Sequence, residues 1–456
     1  MYFRQILHED LGCASYILAD DGEAVVVDPK WEIGEYLRAA QQAGAGIGHV
    51  LETHVHADHV SGRGRLASAT GAVPHVPSDP DRPESGGLRD GDLLQVGRLE
   101  IRALATPGHR PEHLAFVVCD GGRGVGEPCL LLSGDSLMVG DVARPDLAVA
   151  SEEGARALWR TLRSLEALGD HVELWPGHVG GSLCGSGSLS PKTSSTIGHE
   201  RRTNRLLSLT DADAFLAELT RSIPPRPPSV ERVVALNRRG AIPVPLRELE
   251  LADVRESLSR GTCVLDVRVP EVFDAGHLAG ALNLPAGGRG LGTRAGWVAG
   301  VEAAIVVVAT TIEAGARVAA CLYAAGLWNL AGVTAADPRG WAAAGLEVQT
   351  ATALAPESLV PGLAAGELRL LDVRDPTEWH AGHVAGSLHL RLSELGDGRT
   401  LALNADRPLA VACATGGRAA LAASVLRRRG HAAASRVAGG IADLARHGAV
   451  LVRTET

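Results

Sequence analysis

Thr53-His54-Val55-His56-Ala57-Asp58-His59 sets three histidines and an aspartate within six residues. The stretch follows a mostly apolar run, Ile47 to Leu51, which reads as a short buried strand, so the imidazoles sit where a strand gives way to a loop. Rings and a carboxylate this dense cannot all enter a core, because each would need a buried polar partner. Gathered around a cation, they satisfy one another. Imidazole suits zinc, iron, copper and nickel alike, so the stretch calls for a metal without naming it.

The same arrangement recurs three times. Thr106-Pro107-Gly108-His109 lies just beyond a strand over Leu99 to Leu104, Ser133-Gly134-Asp135 closes the apolar run Cys129 to Leu132, and Leu174-Trp175-Pro176-Gly177-His178 repeats the pattern. Upstream, Ala14 to Leu18 and Ala24 to Val27 read as strands around the turn Asp20-Asp21-Gly22. Glu32 to Ala43 has helical periodicity, and Gly86 to Leu104 reads as a hairpin region. Such alternation implies helices packed on sheets, with the chemistry on loops along one edge.

The His-x-His-x-Asp-His stretch resembles the signature of the metallo-β-lactamase superfamily, a likeness extending over about the first 230 residues and implying an αββα sandwich. Superfamily precedent implies two outcomes. In a hydrolase, His54, His56 and His109 hold one zinc, Asp58, His59 and His178 hold a second, and Asp135 bridges them; the pair generates a hydroxide nucleophile. In an oxygenase, one Fe(II) sits on His54, His109 and Asp135, with positions open for O2 and substrate. His56, Asp58, His59 and His178 then form an outer shell that orients the ligands. All seven residues are present, so counting ligands does not choose.

The flanking residues choose by resemblance. Ser133-Gly134-Asp135-Ser136-Leu137, Gly140 to Leu147, Gly177-His178 with Gly181-Ser182-Leu183-Cys184-Gly185, and Ser194 to Arg202 are similar to the persulfide dioxygenase (ethylmalonic-encephalopathy protein-like) branch. That resemblance implies one Fe(II) per chain on His54, His109 and Asp135. Val179 departs from the branch, standing where a glycine often follows the Pro-Gly-His. Arg144, a planar and permanently charged fork, is a candidate to hold the carboxylate of a thiol substrate. Cys184 is a candidate to line the pocket and carry sulfane sulfur.

The C-terminal half contains a duplication. Leu265 to Pro285 reads LDVRVPEVFDAGHLAGALNLP and Leu371 to Arg391 reads LDVRDPTEWHAGHVAGSLHLR, with twelve of 21 positions matching. A period this long means two copies of one domain, and each copy resembles the rhodanese (sulfurtransferase) fold. In the second copy, Val411-Ala412-Cys413-Ala414-Thr415-Gly416-Gly417-Arg418 is a further chemical centre. A strand delivers Cys413, small residues let the following amides fold inward, and a helix begins near Arg418. Such a nest favours an anion and so a thiolate able to hold a persulfide, with Arg418 adding positive charge. In the first copy, aligning Arg317 with Arg418 puts Ile312 in place of Cys413, so this copy reads as a pseudo-rhodanese with a spacer or docking role.

Composition narrows the classes. A length of 456 residues suggests about three domains, placed at 1–240, 241–350 and 351–456, with the proline-rich connector 222–228 near the first junction and Val233 to Asn237 packing on the first domain. Aromatic content of 3% leaves the cores to Leu, Val and Ala. A net charge of −9 with dispersed Lys and Arg argues against nucleic acid. No long apolar run suggests a membrane span and no apolar leader opens the chain. Seven scattered cysteines fit a reducing cytoplasm. The combined expectation is an α/β protein, a metallo-β-lactamase sandwich followed by two rhodanese-like domains. It oxidises a low-molecular-weight thiol persulfide with O2 to sulfite and interconverts persulfide, sulfite and thiosulfate, as a homodimer or homotetramer. The alternative is a dinuclear zinc thioester hydrolase of glyoxalase II type with an appended sulfurtransferase.

Overall fold

Strand Cys13–Asp20 is buried along its whole length, so both of its faces are covered. Alternation of side chains explains how. Ala14, Tyr16 and Leu18 enter one apolar core with Phe116, Val118 and Leu132 of a facing sheet. Ile17 and Ala19 enter another with Tyr36, Ala39 and Leu66, contributed by the helices Gly34–Ala43 and Arg63–Thr70. The strand belongs to a five-stranded sheet ordered Tyr2–His8, Cys13–Asp20, Glu23–Val27, Gly46–Leu51, Val73–His75. The facing sheet runs Ser195–Thr196, Glu173–Pro176, Pro128–Gly134, Leu114–Asp120, Leu99–Ala105, Leu93–Val96. Its outer face packs on helices Ser151–Leu165 and Ala212–Thr220 through Leu158, Leu162 and Phe215. The four layers make an αββα sandwich. The helix expected from Glu32 begins at Gly34 and stops at Gly44, whose φ of 64° is the left-handed turn that ends helices.

This computed structural model describes residues 1–8, 10–78, 86–122, 126–180, 189–221, 223, 226–240, 245–287, 290–396 and 407–453. The chain divides into two compact units, Met1–Ile242 and Pro243–Thr456. Part of the proline-rich connector (222, 224 and 225) lies outside the described residues. The helix that follows it, Val230–Arg239, belongs to the first unit, where Val230 packs with Ala57 and Leu147. Among the described residues, no helix is long and apolar enough to cross a membrane.

In the second unit, duplicated sequence becomes duplicated structure. One parallel sheet orders Leu282–Asn283, Cys263–Asp266, Ile305–Ala309, Leu330–Ala335; the other orders Leu388–His389, Arg369–Asp372, Leu409–Ala412, Ala434–Arg436. The repeated LDVR has a physical purpose. Its buried aspartate, Asp266 or Asp372, grips the arginine two residues on, at 2.9 Å in each copy. That arginine also donates to the carbonyl of Gly276 or Gly382, fixing the turn ahead of the repeated Gly-His. The histidine then stacks on Phe273 in one copy and Trp379 in the other. Asp372→Ala strands the buried Arg374 charge and is expected to cost about 3–5 kcal/mol, read from denaturant unfolding of the second unit's transition.

Candidate metal centre and sulfur-transfer loop

The Thr53 hydroxyl donates to Asp28 Oδ2 at 2.8 Å. Its lone pairs therefore accept from His54 Nδ1, 2.9 Å away, which leaves the His54 lone pair on Nε2. His109 reaches the same tautomer by donating from Nδ1 to the carbonyl of Arg144 at 3.0 Å. Both Nε2 atoms face Asp135 Oδ2, at 3.9 and 3.4 Å, and His178 Nε2 lies 3.2 Å from the same oxygen. That buried oxygen accepts no well-formed hydrogen bond. Lone pairs of neutral imidazoles aimed at a carboxylate repel unless a cation stands among them, so His54, His109 and Asp135 fit a metal. Burial, then the neighbouring His56 and His113, holds His54 well below its ordinary pKa and keeps it neutral. Burial pushes the Asp135 carboxyl up, but the neighbouring His178 outweighs it and holds it down at about 2.

The other predicted residues complete the same pocket. His56 Nε2 is tied to Asp28 Oδ1 at 3.1 Å and Glu52 Oε2 at 3.0 Å, leaving a buried Nδ1 without a hydrogen-bond partner. His59 Nδ1 faces Asp58 Oδ1 at 3.0 Å, and its buried Nε2 likewise lacks a partner. Asp58 Oδ2 lies 3.4 Å from His178 Nε2 and 3.2 Å from Cys13 Sγ. His54, His109 and Asp135 form one group of atoms within 4.8 Å of one another; His56 with Asp58 and His59, Cys13 with Asp58 and His178, and Asp28 with Glu52 and His56 form three more that overlap through Asp58 and His56. The geometry accommodates either ligand count.

The frame behind these groups is close-packed. Gly134 has φ of 51°, and a Cβ there would stand 2.7 Å from His113 Nε2 and 2.8 Å from Thr53 Oγ1. A Cβ on Gly177 would stand 2.5 Å from Asp135 Oδ1. Glycine lets the strand ends close on the site. His113 accepts from the Asp135 amide at 3.0 Å, and its ring stacks 5.0 Å from that of His54. Burial lowers its pKa to about 3, which keeps the accepting nitrogen unprotonated.

Sequence reading missed Asp28, Glu52, His113, Cys13 and the structural reach of Asn237. Asp28 had a signal, since it closes the strand Glu23–Val27 as Asp135 closes Pro128–Gly134. Asn237 had none. Its Nδ2 donates to the carbonyls of His56 at 2.9 Å and His59 at 2.8 Å, and its Oδ1 accepts from the Ser61 amide at 2.8 Å. Asn237→Ala leaves these backbone groups buried and unpaired. It is expected to cost about 1–3 kcal/mol in unfolding of the metal-free protein and to speed metal loss to a chelator.

Arg144 is buried, and its Nε and Nη2 hold Asp146 at 2.7 and 2.8 Å. The fork expected to meet a substrate carboxylate is thus engaged by one of the chain's own, while the residue's backbone orients His109. Cys184, and most of the loop from His178 to it, lies outside the described residues.

In the second unit, the strand Leu409–Ala412 delivers Cys413, which is buried. Gly416, at φ 98°, turns its amide back to donate to Cys413 Sγ at 3.0 Å, and the helix Gly417–Arg428 follows. Arg418 makes a bidentate pair with Glu378 at 2.6 and 2.8 Å and also reaches Asp375 at 3.2 Å. Its charge is shared with carboxylates, instead of being spent on the loop alone. In the first copy, strand register corrects the residue-level alignment. Asp266 pairs with Val308 as Asp372 pairs with Ala412, so Ala309, not Ile312, stands where Cys413 does. Ile312 opens the next helix, capped by Thr311. Neither side chain is a nucleophile.

The metallo-β-lactamase superfamily model matches residues 8–178, and the rhodanese-like domain model matches residues 355–447. The chain carries a metallo-β-lactamase domain and a C-terminal rhodanese-like domain. The first repeat of the second unit shares the sheet order of the rhodanese-like domain but lies outside that match. Among similar proteins, a hydroxyacylglutathione hydrolase of Cereibacter sphaeroides is 37% identical over 163 residues, 35% of this chain and 59% of the relative. The chain thus spans somewhat over half the length of that hydrolase. The mitochondrial persulfide dioxygenase ETHE1 of Bos taurus is 27% identical over 248 residues, 53% of this chain and 89% of the relative. A solved metallo-β-lactamase of Staphylococcus aureus, 28% identical with a TM-score of 0.65, covers 74% of this chain and 98% of its own. That share exceeds the first unit's length, so the likeness runs on past the metallo-β-lactamase domain into the repeats.

Proposed function

We propose that the metallo-β-lactamase domain is a persulfide dioxygenase holding one Fe(II) on His54, His109 and Asp135, and that the rhodanese-like domain moves sulfane sulfur through Cys413. The observation that carries this reading is the extent of the likeness to the persulfide dioxygenase, which takes in 89% of that protein, whereas the hydrolase likeness takes in 59%. The company the domain keeps supports it: sulfite from persulfide oxidation is an acceptor for a cysteine persulfide, while a thioester hydrolase makes nothing that Cys413 needs.

When bound, iron supplies a site at which O2 and a thiolate-like sulfur meet. The chain's own residues set the conditions. His54 and His109 are locked in the Nε2-accepting tautomer by Thr53 and the Arg144 carbonyl. Asp58 and His178, in contact at 3.4 Å, form a polar path away from Asp135 along which a proton can leave. The balance is R–S–SH + O2 + H2O giving R–SH, sulfite and two protons. At the rhodanese-like domain, Cys413 takes an outer sulfur from a persulfide and yields it to sulfite, releasing thiosulfate and the Cys413 thiolate. The partners are small molecules, the thiol persulfide, O2 and sulfite, and the compartment is cytoplasmic.

Metal analysis with an oxygen electrode tests this. One iron per chain and O2 uptake dependent on glutathione persulfide are expected. The dinuclear zinc thioester hydrolase is the second reading, favoured by the partnerless Nδ1 of His56 and Nε2 of His59, which one Fe(II) on His54, His109 and Asp135 would leave unused. Two zincs per chain with cleavage of a glutathione thioester, and no O2 uptake, would establish it and overturn the dioxygenase.

A further inference from the structure

Between the two repeats of the second unit lies a cavity of about 830 Å3 that neither proposed reaction uses. Its size is that of a small-molecule site. Apolar side chains such as Leu249, Leu282 and Val425 line it, and four arginines, 247, 260, 428 and 429, reach it against only two carboxylates, Asp253 and Glu256. Arg247 and Arg260 pair with those carboxylates. Arg429 instead donates to the carbonyls of Leu395 and Gly396, and Arg428 donates from Nη1 to Cys263 Sγ at 3.3 Å. The rim of the cavity therefore carries two solvent-exposed arginines without carboxylate partners among the described residues, beside a buried thiol. Cys263 begins the strand Cys263–Asp266, so it lies at the edge of the sheet opposite the strand end that corresponds to Cys413.

We propose that this cavity is a second sulfur-handling site, in which Arg428 and Arg429 hold a small carboxylate-bearing persulfide whose outer sulfur passes to Cys263. The inference rests on the reading that the chain handles low-molecular-weight persulfides. The Cys263 thiolate attacks the outer sulfur of R–S–SH, a sulfur–sulfur bond forms at Cys263, the original one breaks, and the departing R–S⁻ takes up the proton that Cys263 released. No oxidant is consumed. Burial pushes the Cys263 thiol up and Arg428 offsets this only in part, so the nucleophile is the minor, thiolate form. A persulfide is a stronger acid than a thiol, so the same guanidinium favours the loaded form by a charge-assisted hydrogen bond. The repeat that has no nucleophile in its loop would then act through the other end of its sheet.

The test uses the full-length, metal-loaded chain carrying Cys413→Ser. It is incubated without oxygen with glutathione persulfide, freed of small molecules, and digested so that mass spectrometry places the added sulfur. Loading of Cys263 is expected, lost in Cys263→Ser and slowed at least tenfold in Arg428→Gln. The persulfide of 2-mercaptoethanol, which has no carboxylate, should load it at least tenfold more slowly than glutathione persulfide. Absence of sulfur on Cys263, equal rates for the two donors, or no effect of Arg428→Gln would each overturn the inference. O2 uptake by the unsubstituted protein is measured alongside. Uptake with an unloaded Cys263 defeats this inference alone, and loading without uptake defeats the dioxygenase reading alone.

Discussion

Cys413→Ser is expected to lower thiosulfate:thiol sulfurtransfer by at least about a thousandfold, because the nucleophile itself is removed, while O2 uptake per iron stays within twofold. A serine hydroxyl fits the space that Gly416 closes over, and the loop keeps its turn at φ 98°. What it cannot do is hold a second sulfur. The amide donation at 3.0 Å received by Sγ strengthens when the accepting sulfur carries charge, as the outer sulfur of a persulfide does. Cyanolysable sulfur after thiosulfate treatment, together with an oxygen electrode, separates the two activities. Sulfurtransfer that survives the substitution would make the rhodanese-like domain a docking or sulfur-binding module and move the chemistry elsewhere.

Asp135→Ala is expected to abolish metal retention and O2 uptake together. Asp135 Oδ2 is the atom on which the Nε2 atoms of His54, His109 and His178 converge, within 3.9 Å. Without it the histidines lose the charge that makes their lone pairs converge on a cation. The apo protein should still fold, since methyl for carboxylate removes a buried group that accepts no well-formed hydrogen bond at Oδ2. Metal content after gel filtration and the circular dichroism of the variant decide the matter. A variant that binds iron and consumes O2 would remove Asp135 from the ligand set.

Much of this architecture is legible in the chain because its signals are local. Each ligand ends an apolar run and sits on the loop that follows, so the convergence of His54, His109, Asp135 and His178 could be read from spacing and resemblance. What stayed hidden depends on contacts far along the chain. Asp28 supports both Thr53 and His56 from another strand, and its left-handed φ of 49° is not visible in composition. Arg144 reads in the sequence as available charge near a ligand, and only packing shows that Asp146 holds two of its nitrogens. Ile312 was misplaced for a different reason. Arg317 is the sixth residue of its helix whereas Arg418 is the second of its own, so matching the two arginines slips the strands by three residues.

The Asn237 contacts also have a consequence for biosynthesis. The carbonyls it pins belong to residues 181 and 178 positions earlier in the chain. A ribosome therefore releases the whole ligand loop long before the amide that fastens it emerges. Metal should be captured stably only in the last moments of making the first unit, and stalled nascent chains ending short of residue 237 are expected to give up their ion readily to a chelator.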